Sequence, residues 1–156
     1  GVLFDSLAGT KMTHVPYSGG GPAMIALVGG QVHLVFATAA TAAPQIKAGK
    51  IRGFAVTTLT RASFMPELPT IAESGLAGFD ANNWYGIVVP VKTPRAIIAK
   101  LNAETNRALA APDLKALFVT QGLDPAPGTP EQFGAYIKSE LVRWGGIIKA
   151  SGAKPE

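Results

Sequence analysis

His14-Val-Pro-Tyr-Ser-Gly-Gly-Gly-Pro-Ala23 is the stretch that decides how this chain reads. Residues 12–17 have the pattern of a strand, and Ser18-Gly-Gly-Gly21 ends it. Pro22 suits the first turn of a helix, where the N–H it lacks would have no partner anyway. A strand, three glycines and a helix start leave backbone N–H groups open at the positive end of a helix, which favours an anion. Glycine also lets a ligand come close to the backbone. A plain tight turn reads equally well from these residues alone. No Gly-Lys-Ser/Thr follows, so this is not a Walker loop, and the spacing of a dinucleotide fingerprint is absent.

Working outward, Ala23 to Val28 continues as a helix that Gly29-Gly30 closes. Val2, Leu3, Phe4 and Leu7 give an earlier helical stripe that stops at Gly9, and reads as the end of a helix. Residues 31–36 alternate, with Val32, Leu34 and Phe36 on one face, which predicts a strand. Thr38-Ala39-Ala40-Thr41 lies just beyond it, and open α/β sheets bind ligands outside the carboxyl ends of their strands. Two hydroxyls among small residues suit a hydrogen-bonding wall. Thr38 suits equally well as the N-cap of a helix predicted over 42–48.

Further strands are predicted over 51–57 and 83–89, with a short helix over 70–74 between them. This alternation at short spacing argues for a parallel, helix-covered sheet whose loops gather on one edge. Trp84 and Tyr85 point to opposite faces of the last strand, so one enters the core and the other is free to face a cleft. Past Pro90 the character changes. Pro94 opens a helix with Ile97, Ile98, Leu101, Ala108 and Leu109 on one face, and Thr93 is the expected N-cap. A second helix is predicted over 112–120. A third starts at the capping-box-like Thr129-Pro-Glu-Gln132 and carries Phe133, Tyr136, Ile137, Leu141, Trp144 and Ile148. The expected division is a partial α/β lobe over 1–89 and a mainly helical segment over 90–156.

The bulk composition narrows the function. At 156 residues, 47% hydrophobic and 15% charged, the chain is long enough for a core and too apolar for disorder. The net charge of +4 has one tight basic group, Lys47, Lys50 and Arg52, flanking a turn, so no nucleic-acid face is expected. Cysteine is absent, and His14 and His33 are predicted on separate strands, so no metal site or cofactor is expected. No Gly-x-Ser-x-Gly elbow occurs, and Glu67, Glu73 and Asp80 fall in connections or on the short helix. No catalytic residue is expected: the sequence describes a binder and not an enzyme. No run approaches the roughly 18 apolar residues of a membrane span.

Taken together, the motifs resemble the solute-binding receptors of tripartite tricarboxylate transporters, the Bug family. The resemblance runs through His14-Val-Pro-Tyr17, Gly19-Gly-Gly-Pro-Ala23 and Gly29-Gly-Gln-Val32. It continues through Leu68-Pro-Thr-Ile-Ala-Glu73, Trp84-Tyr-Gly86, Thr93-Pro94 and Gly128-Thr-Pro-Glu131. It implies an incomplete type II periplasmic-binding-protein-like fold, part of one α/β lobe plus a C-terminal helical segment of the other. The implied function is capture of a small carboxylate in the periplasm for transfer to membrane transporter subunits, with any secretion signal outside this chain. By position, Tyr17, Ser18, Gly19, Gly20, Gly21 and Ala23 form one ligand-facing loop. Thr38, Ala39 and Ala40 form another, and Trp84 belongs to the cleft. Ser18 stands where the family often has lysine, and His33 where it often has aspartate. The family's chains are also considerably longer. That shortness supports a second expectation, a truncated domain that acts through protein contacts, with a homodimer sharing helices of residues 94–152.

Overall fold

A computed structural model describes residues 1–151, with side chains described through Lys149. Six helices follow in order: α1 (Val2–Ala8), α2 (Gly20–Val28), α3 (Ala39–Lys47), α4 (Arg95–Ala110), α5 (Pro112–Thr120) and α6 (Pro130–Ser151). They belong to two compact units. Leu3–Trp84 with Ala116–Asp124 makes one, and Tyr85–Lys115 with the segment from Pro125 makes the other. The helical segment expected over 90–156, and the helix-sharing expected as far as Gly152, extend outside the described residues.

Glycine punctuation explains where the first helices stop. Gly9 takes a left-handed conformation after α1, and the Thr10 N–H returns to the Asp5 carbonyl at 3.2 Å. The Asp5 carboxylate accepts the Met12 N–H and the Thr10 hydroxyl, at 2.9 and 2.7 Å. Those two bonds, the Met12 one foremost, hold its carboxyl below the usual range and pin the following segment to α1. Beyond α2, Gly30 turns the chain so that the Gln31 N–H reaches the Ala26 carbonyl at 2.8 Å.

The first unit holds every buried apolar residue among those described: Met24 and Ala26 of α2, Ala62, Met65 and Phe79. Phe79 is 2% exposed and takes the ring of Phe4 edge-on at a centroid distance of 6.2 Å, while Phe4 also meets Phe36 at 6.0 Å. Thr70, fully buried, joins this core through a parallel bridge to Val56: the Val56 N–H donates to the Pro69 carbonyl and its carbonyl accepts from Ile71. Thr70 and Glu73 close a reciprocal capping box, both bonds 2.9 Å. The Thr70 N–H, with the Arg61 guanidinium 2.9 Å away, keeps the Glu73 carboxyl below its ordinary value. What was expected as a helix over 70–74 is therefore a capped turn.

The strand expectation is corrected in the same way. Among the described residues the Val56–Thr70 bridge is the only β pairing, and residues 12–17, 31–36, 51–57 and 83–89 form no ladder. Alternation sets which side chains share a face, but a strand exists only where a neighbour takes its N–H and C=O groups. Three helix starts also differ from the reading: α2 begins at Gly20, two residues before Pro22, with the Ala23 N–H on the Gly19 carbonyl. α3 begins at Ala39, three residues before the predicted 42, because Thr38 in extended conformation already accepts from the Thr41 and Ala42 N–H groups. α4 is capped by Pro94, not Thr93. The first helical bonds, from Ile97 and Ile98, end on the Pro94 carbonyl, and Thr93 turns back to Pro90 instead.

The second unit is organised by polar contacts. Asn102 and Asn106 of α4 both donate to the Gly128 carbonyl, at 2.8 and 2.9 Å, and Gly128 donates back to Asn106. The predicted capping box at the start of α6 is present: Thr129 N–H to Gln132 Oε1 at 2.8 Å, Gln132 N–H to Thr129 Oγ1 at 3.2 Å. Glu140 is the buried residue of α6, held by Arg143 at 3.1 Å and the Trp144 indole N–H at 2.9 Å. The apolar side chains of these helices are largely exposed, Val142 at 80% and Leu141 at 69%.

Candidate anion site at two helix N-termini

The glycine loop delivers what its residues dictate. Gly19 caps α2 with φ of 145°, a conformation that favours glycine over any residue bearing a side chain. The Ala23 N–H donates to the Gly19 carbonyl at 3.3 Å and closes the first turn, while Pro22 has no N–H. The N–H groups of Gly20 and Gly21 are left without an acceptor among the described residues. Both glycines are exposed, as are Tyr17 and Ser18 before them.

The second segment repeats the arrangement. Thr38 is the N-cap of α3 but makes no side-chain capping bond. The Thr41 hydroxyl donates to the Thr38 carbonyl at 2.9 Å, so in the 3.2 Å contact between the two hydroxyls Thr38 is the donor. Both hydroxyl protons are thus spent within the pair. The Ala39 and Ala40 N–H groups, like those of Gly20 and Gly21, have no acceptor among the described residues.

Helices α2 and α3 pack together, and their N-termini meet. A Cβ placed on Gly20 would lie 3.4 Å from Thr41 Cγ2 and 3.8 Å from its Oγ1. Two positive helix ends, with two open N–H groups each, therefore lie side by side. Each end carries roughly half a unit of positive charge, and neither first turn contains an acidic residue to neutralise it. Such a site suits an anion that accepts hydrogen bonds through more than one oxygen, as a carboxylate does. The contact of Gly20 with Thr41 sets the first turn of α2, with Gly21, beside that of α3, with Thr38, Ala39 and Ala40, and Tyr17, Ser18 and Gly19 are attached through the chain. Ala23 contributes its carbonyl-bound N–H to the helix and not to the opening. Trp84, 38% exposed, ends the same compact unit, and its link to this site rests on the family resemblance.

From sequence alone Gly122 is not singled out, and Thr41 has no packing partner. Thr41 was weighed as part of its segment, yet its role as the contact for Gly20 needs the packing of α2 on α3. Gly122 gave a weaker signal, a glycine after a predicted helix and before a leucine, which marks a helix C-terminus.

Residues 3–153 match the family described as "Tripartite tricarboxylate transporter family receptor". The chain is 40% identical, over 94% of its own length and 44% of the other's, to the "UPF0065 protein in tcbD-tcbE intergenic region" of Pseudomonas sp. strain P51. Among solved structures it is similar to "R. palustris Rpa4515 with adipate", with a TM-score of 0.87 at 32% identity, covering 99% of this chain and 52% of that one. It is similar also to "periplasmic binding protein BugD", with a TM-score of 0.77 at 29% identity, covering 99% and 52%. The chain spans about half the length of each of these three proteins. Its fold is that of part of a type II periplasmic binding protein, as the resemblance implied. The chain belongs to the tripartite tricarboxylate transporter receptor family.

Proposed function

We propose that this chain supplies a carboxylate-binding surface of a periplasmic solute receptor, which delivers its ligand to membrane transporter subunits. The observation that carries this reading is the meeting of the α2 and α3 N-termini, with the open N–H groups of Gly20, Gly21, Ala39 and Ala40. A ligand carboxylate bound there accepts from backbone donors and needs no Lys or Arg salt bridge. Adipate in the similar R. palustris protein supports a short dicarboxylate as the ligand class. Ser18 lies in the same loop with a hydroxyl able to donate, and the family resemblance assigns Trp84 to the cleft. Binding of this kind asks for no catalytic group.

The test is a fluorescence titration with short mono- and dicarboxylates, adipate among them. Trp84 is expected to report the ligand. Trp144, whose indole is held by Glu140 in α6, is expected to respond much less. A Trp84→Phe variant that retains the full ligand-induced change would contradict the assignment, as would the absence of binding to every carboxylate tried.

The exposed apolar side chains of the second unit favour a further role in protein contacts, with a second copy of the chain as the partner.

A further inference from the structure

We infer that Gly122 is a positioning residue for the anion site, setting where the first turn of α3 presents its N–H groups. The inference rests on the functional reading above. Helix α5 ends in a Schellman turn: the Leu123 N–H reaches back to the Phe118 carbonyl at 2.9 Å, and Gly122 takes φ of 67°. A Cβ on Gly122 would lie 2.1 Å from the Cβ of Ala39, more than 1 Å short of ordinary contact, and 3.3 Å from the Phe64 ring. The backbone of Gly122 therefore sits directly on the first residue of α3, which contributes one of the open N–H groups.

The surroundings decide which side gives way when a side chain is added. Ala62 and Met65, flanking Phe64, are buried in the core, and the Ser63 hydroxyl donates to the Asp124 carboxylate just after Gly122. These contacts fix the seat of the α5 terminus. Neither α3 nor α5 has a buried residue, so the Ser63–Asp124 bond decides, and the untied first turn of α3 is the side that gives way. A shift on the scale of an ångström takes N–H groups out of hydrogen-bonding range of a ligand held by α2. Gly122 thereby acts on the ligand through Ala39, touching it nowhere.

A matched pair of variants separates this effect from backbone strain. Gly9 has φ of 66°, almost that of Gly122, but a Cβ there meets nothing within 4 Å. Both Gly9→Ala and Gly122→Ala strain the left-handed backbone, and only the second collides. In amide spectra without ligand, Gly122→Ala is expected to shift the resonances of Ala39, Ala40, Thr41 and Gly20, while Gly9→Ala leaves them in place. With adipate as the probe, Gly122→Ala is expected to weaken binding at least tenfold. In an Ala39→Gly background the same change should cost less than twofold, because the colliding methyl is gone.

Amide shifts no larger in Gly122→Ala than in Gly9→Ala would overturn the inference, as would an equal loss of affinity in both backgrounds. If Gly122→Ala fails to fold, the Ala39→Gly/Gly122→Ala double variant must fold, and its failure would assign the damage to φ alone. If the unaltered chain binds no adipate, the functional reading falls, and the amide shifts still decide whether Gly122 positions α3.

Discussion

Gly20→Val is expected to weaken carboxylate binding by about 100-fold while leaving the helices in place. Gly20 has no positive φ, so a side chain there brings no backbone strain. The first methyl would already reach van der Waals contact with Thr41. The branches of valine would then fill the gap between the two helix ends and screen the Gly20 and Gly21 N–H groups from a ligand. A hydrogen bond to a charged group contributes about 1.5–3 kcal/mol, so losing two corresponds to roughly two or more decades in Kd. Gly20→Ala, which adds only the first methyl, should cost tenfold at most. Calorimetric titration measures the affinities, and circular dichroism verifies that helix content is kept. Wild-type affinity in Gly20→Val would remove backbone donation at this loop from the mechanism.

The second large effect concerns association. In sedimentation at micromolar concentration the 156-residue chain is expected to form a dimer. The second unit contains no buried apolar residue among those described, and its large apolar side chains face outward: Val91 is 99% exposed and Tyr85 72%, beside Val142 and Leu141 of α6. Covering a Val or Leu side chain fully contributes about 1.5–3 kcal/mol. Half a dozen such residues exceed the lower estimates of the association cost, about 4 kcal/mol upward. A symmetric pairing through α4 and α6 covers the same side chains of both copies at once. Leu141→Lys with Val142→Lys should shift the equilibrium toward monomer by more than tenfold. A single monomeric species across the micromolar range would show that this exposure does not drive self-association.

Much of the helical framework was legible because its signals are local. Gly9, Gly30 and Gly49 end their helices by conformation, and Thr129 with Gln132 closes a box readable from spacing alone. Pro22 falls within the first turn of α2, as its missing N–H allows, although the helix starts two residues earlier at Gly20. What was not legible depends on neighbours distant in sequence. The alternation of Val32, Leu34 and Phe36 cannot say whether another strand stands beside them. Thr38 has a good capping side chain, yet that hydroxyl turns to Thr41, an alternative open to any Thr with a hydroxyl one turn on. Gly122, and the packing role of Thr41, depend on tertiary contacts, Thr41 with Gly20 and Gly122 with Ala39. From residue types alone the glycine loop reads equally well as an anion cradle and as a plain turn. Only packing places a second helix end beside it, through Gly20 and Thr41.

The central claim is that backbone N–H groups at the two helix ends receive the carboxylate. The most direct measurement is an amide-resolved NMR titration of the isotopically labelled chain with adipate. The largest changes are expected at Gly20, Gly21, Ala39 and Ala40, saturating together at one affinity. Changes confined to the basic group at Lys47, Lys50 and Arg52, growing without saturation, would contradict the claim and reduce the binding to general attraction between charges.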